Sequence, residues 1–228
     1  GSVFMSRSSL AFRWQGGDWQ LLADKALWHP GEKTLFIADP HFGKSASFRS
    51  AGIPVPEGAT HDDCQRLSLL IERTSAIRLV ILGDFFHNAA SRSSSVHRVL
   101  TDWRKRHTDL QVELVRGNHD HAAGDPWPDL KVRVHPSSWM WKGFCCAHTD
   151  QKPSSHPVLS GHVHPSVKLS VQGRRVYRLP CFWFRGQISC TLPSFGTFTG
   201  SYTVEPSRED CLIATDGHSI MNVTQWVA

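Results

Sequence analysis

The stretch TLFIADPH, residues 34–41, decides the fold, because it joins a short apolar run directly to an Asp-x-His pair. The same arrangement recurs twice: RLVIL at 78–82 precedes Gly83-Asp84, and VELV at 112–115 is closely followed by GNHD at 117–120. Short apolar runs bounded by Gly, Asp or Asn are typical of buried strands. The sequence therefore predicts three strands, each of which ends at a group of polar residues.

Two segments between these runs have the spacing of helices that bury one face. Residues 60–73 begin with Thr60 before a pair of aspartates, which is typical of a helix start, and place Leu67, Leu70 and Ile71 on one face. Residues 93–106 place Val96, Leu100 and Trp103 at the same spacing. Strands that alternate with helices indicate an α/β fold, in which helices cover a sheet.

The second half of the chain has a different pattern. After about residue 131 short strands and turns follow one another, and we predict hairpin tips at Gln172-Gly173 and Asp216-Gly217. No linker or repeat divides the chain, so we predict one domain over residues 1–228, with residues 1–2 a remnant of an expression tag. Residues 43–58 are predicted to be a loop that forms a lip beside the substrate.

Composition restricts the class of protein. With 228 residues, of which 40% are hydrophobic, the chain can bury a core as one domain. No apolar run approaches membrane-spanning length and no leader opens the chain, so we expect a soluble, cytoplasmic protein with no membrane partner. The six cysteines lack Cys-x-x-Cys spacing, which favours reduced thiols. A formal charge of +5 favours polyanionic partners.

Histidines follow two further apolar stretches. His148 comes after FCCA at 144–147, and GHVH occupies 161–164. In open α/β sheets ligands gather outside the carboxyl ends of strands, so all these polar groups can converge on one rim. Alternation along an extended chain would point both residues of each Asp-x-His or His-x-His pair to the same side. We therefore expect one pocket to collect them.

Each of these groups alone has an ordinary structural explanation. Asp-x-His and Gly-Asn-His-Asp can be polar turns, because Gly, Asn and Asp favour turns for local backbone reasons. A His-x-His pair can lie on the solvated face of a strand. Their occurrence together, in this order and each after an apolar strand, is hard to explain by turns and indicates a functional site.

The ordered series resembles the calcineurin-like metallophosphoesterase superfamily. It is most similar to one branch, the ligase-associated DNA-repair metallophosphoesterases of bacteria, through ADPHFGK at 38–44 and GIPVP at 52–56. GHVHP at 161–165, RLPCF at 178–182 and LPSFG at 192–196 extend the resemblance over nearly the whole chain. One departure is Thr149-Asp150, which stands where the pattern has an acidic residue or His and then Pro.

The resemblance implies a fold and a metal centre. The fold is a four-layer αββα sandwich of two packed mixed sheets flanked by helices. The first of two divalent ions would be held by Asp39, His41, Asp84 and His164. The second would be held by Asp84, Asn118, His148 and His162. Carboxylate, amide and imidazole ligands without thiolate suit Mn²⁺, our first choice, or Fe²⁺ or Zn²⁺.

Two neighbouring residues would complete the catalytic machinery implied by the resemblance. His119 would act as the general acid that protonates the leaving-group oxygen. Asp120 would hold the other ring nitrogen of His119 and favour its protonated form. The alternative for Asp120 is a carboxylate that caps a turn.

The resemblance also implies the substrate, which is DNA, cleaved by an endonuclease or phosphodiesterase that works with an ATP-dependent DNA ligase and other repair enzymes. Lys44 and Arg49 are candidates to bind the phosphate backbone. Two alternatives stay open: a phosphodiesterase or pyrophosphatase for nucleotides or other small phosphate esters, and a scaffold that keeps the fold without catalysis. The scaffold predicts gaps among the ligands, and the sequence shows none.

Overall fold

The computed structural model describes residues 7–150, 154–173, 175–197 and 200–227. Within these residues, the α-helices are α1 Lys44–Ser50, α2 Ala59–Thr74, α3 Ser94–Arg106 and α4 Asn118–Ala123. Short 3-10 helices lie at Pro30–Glu32, Ala89–Ser91, Pro128–Leu130 and Thr224–Trp226. None of the described helices is both long and apolar enough to cross a bilayer.

The first sheet has seven strands within the described residues, arranged in chain order from β1 to β7. Its strands are β1 Ser9–Trp14, β2 Gly17–Leu22, β3 Ala26–His29, β4 Thr34–Ala38, β5 Arg78–Leu82, β6 Gln111–Val115 and β7 Val132–His135. Neighbours are antiparallel from β1 to β4 and parallel from β4 to β7. The carboxyl ends of β4, β5 and β6 therefore meet at one edge.

The second sheet contains nine strands over the same described residues, in the order β14-β11-β12-β13-β10-β9-β8, with β15 paired to β12 and β16 paired to β15. Its strands are β8 Ser138–Trp141, β9 Phe144–Ala147, β10 Val158–Ser160, β11 Pro165–Val171, β12 Arg175–Arg185, β13 Ser189–Thr191, β14 Tyr202–Thr203, β15 Asp210–Thr215 and β16 Ile220–Asn222. The pairs β9–β10 and β10–β13 are parallel, so this sheet also brings carboxyl strand ends to one edge.

The central strands are buried on both faces, which explains their uninterrupted apolar sequence. In β4, Leu35 and Ile37 face the layer formed by α2 and α3, whereas Phe36 packs toward the second sheet with Phe182. A smaller cluster on the outer face of the second sheet includes Val223, beside the C-terminal 3-10 helix. The predicted α/β architecture of two packed mixed sheets with helices is confirmed.

Most predicted elements lie where the sequence indicated. The runs at 34–38 and 78–82 are β4 and β5 to the residue, and the third run is β6, one residue longer. The two predicted helices are α2 and α3, each within one residue of its predicted bounds. Both predicted hairpin tips are confirmed, because antiparallel strands flank Gln172-Gly173 and Asp216-Gly217.

The prediction of a loop over residues 43–58 is wrong in its first half, where α1 forms. Gly43 begins this helix at φ +78°, and a Cβ there would lie 2.6 Å from Ser91. Glycine therefore permits both the left-handed turn and the close approach of the chain to Ser91. The first three strands were not predicted, although Leu10, Phe12 and Trp14 alternate with more exposed residues in β1.

Candidate metal centre

The predicted polar groups converge at the joined edges of the two sheets. Asp39 and Asp84 follow β4 and β5, and His148 and His162 lie at the ends of β9 and β10. A parallel bridge between Ala38 and Ser194 links the edge of the first sheet to the segment after β13. Four chain segments thus supply side chains to one rim, as the rule for carboxyl strand ends predicts.

The backbone explains the convergence differently from the sequence argument. Asp39, His41, His162 and His164 have φ values of +49°, +46°, +71° and +52°, so none of them is in an extended strand. The prediction that strand alternation aims each pair is therefore wrong. Left-handed conformations of non-glycine residues are uncommon and cluster at functional sites. Tight turns, rather than alternation, direct these side chains.

Gly161 shows how closely the segments approach one another. A Cβ at this position would lie 2.6 Å from Oδ2 of Asp39 and 2.6 Å from the Cβ of Ala38. The next residue, His162, donates its backbone N–H to the same Oδ2 at 2.8 Å. A glycine beside His162 is therefore required for the second sheet to reach the carboxylate of the first.

The first group that can hold a metal ion consists of Asp39, His41 and His164. Nε2 of His41 lies 3.3 Å from Nε2 of His164, which is 3.8 Å from Oδ2 of Asp39. Nδ1 of His164 lies 2.9 Å from the carbonyl oxygen of Gly200. A hydrogen on Nδ1 that is donated to this carbonyl leaves the Nε2 lone pair facing the group, as metal-binding imidazoles require.

The second group that can hold a metal ion consists of Asp84, His148 and His162. Nε2 of His148 lies 3.0 Å from Nδ1 of His162 and 3.5 Å from Oδ2 of Asp84. Nδ1 of His148 lies 3.1 Å from the carbonyl oxygen of Leu82. A hydrogen on Nδ1 that is donated to this carbonyl again leaves the Nε2 lone pair facing the group.

Thr149-Asp150, which differs from the family pattern, leaves the environment of His148 intact. Asp150 lies away from His148 and accepts a hydrogen bond from Nη1 of Arg185 at 2.8 Å. His148 is oriented by the Leu82 carbonyl instead. The sequence change next to His148 therefore leaves this imidazole with a defined orientation.

The electrostatics of the protein alone favour cations here. Burial by itself would raise the pKa of Asp84, but its hydrogen bond with His148 and the neighbouring imidazoles lower it to about 2. Burial would likewise lower the pKa of His148, but Asp84 and Asp39 raise it to about 9. Burial lowers the pKa of His41 to about 3. The two buried carboxylates therefore draw positive charge to this edge of the sheets.

One buried atom shows that these residues fit a metal. Oδ1 of Asp39 has no hydrogen-bond partner within the described part of the chain. Buried polar atoms without partners are costly, and a ligated ion removes that cost. The donors are carboxylate oxygens and imidazole nitrogens with no cysteine sulfur, a set that suits borderline divalent ions.

His119 lies at the exposed side of this centre. Its Nδ1 is 2.9 Å from Oδ2 of Asp84, and about half of the side chain is exposed. Together with His41 and Asp84 it forms a third group of potential ligands. An exposed imidazole at the mouth can meet a substrate while its inner nitrogen contacts the carboxylate.

Asp120 does not hold His119, and that prediction is wrong. Its buried carboxylate accepts backbone N–H groups from Asp84 at 2.8 Å, Phe85 at 2.9 Å and Gly117 at 2.6 Å. These bonds join the loop after β5 to the loop after β6. Adjacent residues of a helix do not face each other, so the carboxylate is directed inward while His119 faces out. The capping alternative is the observed one.

Of the remaining predicted site residues, Asn118 and Lys44 lie near the metal centre, whereas Arg49 contacts Glu57. Asn118 is exposed at the first turn of α4, one residue from Gly117, which approaches the Asp84 carboxylate. Lys44 begins α1, and burial lowers its pKa. Its charge also lowers the pKa of His41, after the larger effect of burial. Arg49 lies instead against Glu57, with Nε 3.9 Å from Oε1.

His87 is a residue of the rim that the sequence analysis did not identify. Its ring centroid lies 5.7 Å from that of His41 and 6.0 Å from that of His119. Burial lowers its pKa. The sequence does place a histidine three residues after Asp84. It was not identified because the two phenylalanines between them look like a continuation of the apolar strand.

Comparison with known proteins agrees with this geometry. The sequence profile of the family described as calcineurin-like phosphoesterase matches residues 32–156. The crystal structure of Pseudomonas putida nuclease MPE is similar, with 36% identity, a TM-score of 0.83 and coverage of 94% of this chain and 99% of that one. YfcE, a phosphoesterase from E. coli, matches at 14% identity and a TM-score of 0.40, over 82% of this chain and 96% of that one. No curated protein sequence matches the chain.

Proposed function

The chain belongs to the calcineurin-like phosphoesterase family and is a metal-dependent phosphoesterase, and we propose that it is a nuclease that hydrolyses the phosphodiester bonds of DNA at a centre of two metal ions. The observation that carries the proposal is the convergence of two buried aspartates with four histidines at the edge of both sheets. The similarity to a nuclease over nearly the whole chain supports the choice of reaction.

Two overlapping ligand sets would hold the ions. The first ion would be bound by Asp39, His41, Asp84 and His164. The second would be bound by Asp84, Asn118, His148 and His162. Asp84 is then the shared ligand, and its position between a histidine of each group supports this role. When bound, a pair of such ions lowers the pKa of water and stabilises charge on a phosphate. Mn²⁺ is the proposed native metal.

His119 is proposed to donate the proton that the leaving oxygen needs. Its exposed ring lies at the mouth of the centre, with Nδ1 at Oδ2 of Asp84. In that orientation the hydrogen on Nε2 is available to a substrate atom in the rim. General acid catalysis of this type contributes about 10²–10⁴-fold to the rate.

We propose DNA as the substrate because of the positive charge of the protein and its similarity to a nuclease. A formal charge of +5 attracts a polyanion, and the charge of Lys44 is close enough to lower the pKa of His41 and His87. The similar Pseudomonas protein is called a nuclease. Resemblance to the ligase-associated branch supports a cytoplasmic role in DNA repair alongside an ATP-dependent DNA ligase.

The test compares substrates and metals. We would assay the purified protein with Mn²⁺, Mg²⁺ or Zn²⁺ on circular single-stranded DNA, duplex DNA and bis-nitrophenyl phosphate, with Asp84→Ala as the control for contaminating nucleases. We expect cleavage of DNA and of the small diester by the unchanged protein only. Hydrolysis of the small diester without DNA cleavage would overturn the nuclease and favour an enzyme for small phosphate esters.

A further inference from the structure

A cavity of about 350 Å³ adjoins the candidate metal centre. His164 belongs to both, so the two spaces are continuous at this side chain. Pockets for small ligands span about 300–1,000 Å³, so this one can take a group as large as a nucleotide. Its polar lining includes Lys25, Ser166, Arg178, Ser194, Thr197 and Ser201.

The charges that line this cavity are all positive. None of the described lining residues is acidic, whereas Lys25 and Arg178 are both cationic. Over the described ranges of the chain, neither side chain forms an ion pair or a hydrogen bond. Burial, and then Arg66, lower the pKa of Lys25 to about 8 although Asp63 and Asp24 raise it. Nearby negative charge is thus too weak to offset the burial of this ammonium.

The sheet register continues the positive charge beyond the cavity. Lys168 on β11 lies directly opposite Arg178 on β12, and like charges in this relation are unfavourable. Ser166 and Lys168 share the face of Arg178 and Pro180, while Val167 and the residues opposite it turn to the core cluster. Lys168 and Arg178 are both exposed, so this register extends the positive charge of the cavity along the surface.

We propose that this cavity binds a phosphate group of the nucleic-acid strand, next to the phosphate that is cleaved, through Lys25 and Arg178. The inference rests on the proposed function and names a binding site for that substrate. The guanidinium of Arg178 matches the oxygens of a phosphate in a bidentate manner, and the hydroxyls of Thr197 and Ser201 can add neutral donors.

Three substitutions and a matched control test the site. Lys25→Gln, Arg178→Gln and the double variant remove the proposed contacts. Arg175→Gln removes the same charge from an exposed position on the same strand, outside the cavity. Metal-loaded proteins would be titrated with single-stranded oligonucleotides of increasing length at several salt concentrations. KM and kcat would be measured for the same series and for bis-nitrophenyl phosphate.

For the unchanged protein we expect KM to fall as the oligonucleotide gains the flanking phosphate. The double variant should lose this gain, with KM roughly tenfold or more higher for the longer substrates, since hydrogen bonds to charged groups are the stronger ones. The magnitude of the salt slope should fall by about 0.7 for each lost contact to a single strand. The increase in KM of the double variant should be about tenfold larger for the long oligonucleotides than for bis-nitrophenyl phosphate.

Two outcomes would overturn the site. One is that Arg175→Gln and Arg178→Gln change KM and the salt slope equally, because the loss would then depend only on the total charge of the protein and not on the cavity. The other is a double variant whose length dependence and salt slope match those of the unchanged protein while DNA is still cleaved; this leaves the proposed function intact. Failure of the unchanged protein to bind DNA, with the small diester hydrolysed, rejects the function itself. Arg178→Gln alone decides the matter if a Lys25 variant does not fold, because Arg178 is exposed.

Discussion

The two sheets contribute different chemistry to the metal centre. The first supplies both carboxylates, Asp39 and Asp84, which are 0% and 2% exposed, and also the buried imidazole of His41. The second supplies imidazoles, of which His148 is buried, His164 half-buried and His162 exposed. Negative charge is therefore buried on the side of the first sheet, and neutral donors extend toward solvent on the other. The carboxylates should determine whether metal binds, while the imidazoles at the mouth adjust how tightly it binds.

The strongest test of this asymmetry compares Asp84→Ala with His162→Ala. Losing Asp84 removes a charged ligand from both proposed ions, and metals contribute several kcal/mol to the transition state. We therefore expect the rate to fall by about 10³-fold or more, with loss of bound metal. His162→Ala should cost less, because water can replace a neutral ligand at the exposed side. Metal content would be measured by mass spectrometry and activity as the rate on bis-nitrophenyl phosphate. Equal losses of metal and rate in the two variants would contradict the proposed difference between the sheets.

His119→Gln separates the mouth of the site from the metal ligands. The rate on DNA should fall by roughly 10²–10⁴-fold while metal content is kept, since the side chain is proposed as a proton donor. The loss should be smaller on nitrophenyl diesters, because a good leaving group needs little protonation. A parallel loss of metal would instead make His119 a ligand, consistent with its 2.9 Å contact to Asp84.

Metal removal should destabilise the protein, because the buried carboxylates then lose their cations. At a metal concentration about 100 times Kd, binding stabilises the folded state by about 2.7 kcal/mol. For a chain of this size that corresponds to a fall in Tm of roughly 5–10 °C on treatment with a chelator. Differential scanning fluorimetry with and without chelator would measure it. The Asp84→Ala protein should show a much smaller shift, and an equal shift in both proteins would reject this explanation.

Asp120→Asn tests a carboxylate of the first sheet that holds backbone instead of metal. Its three backbone N–H bonds join the loops that carry Asp84 and Asn118. An amide cannot accept all three at its two positions, so we expect about 2 kcal/mol of lost stability, given the cost of unsatisfied buried donors. Urea unfolding would measure this loss. Asp129→Asn is the matched control, because its exposed pair with His97 should contribute about 1 kcal/mol or less.

Sequence patterns predicted the elements that are buried on both faces better than the others. After their first residues, Thr34 and Arg78, strands β4 and β5 are continuous apolar runs because both of their faces are packed. Strands β1 to β3 lie toward the edge of the sheet, and β1 and β2 expose alternate residues, so they lack the long apolar run by which β4 and β5 were found. Helix α1 was missed because Gly43 and the serines around it resemble a loop, while its packing against Ser91 depends on a distant segment.

The sequence by itself determined the residue types at the centre, their order, and the family to which the chain belongs. Only the tertiary structure decided the partners of these residues: Asp120 with three backbone donors rather than His119, and Arg49 with Glu57 rather than the rim. It also placed Lys25 and Arg178 in one cavity beside His164. Local sequence fixes the composition of each turn. The direction of each side chain depends on contacts between residues far apart in the chain, which no local pattern encodes.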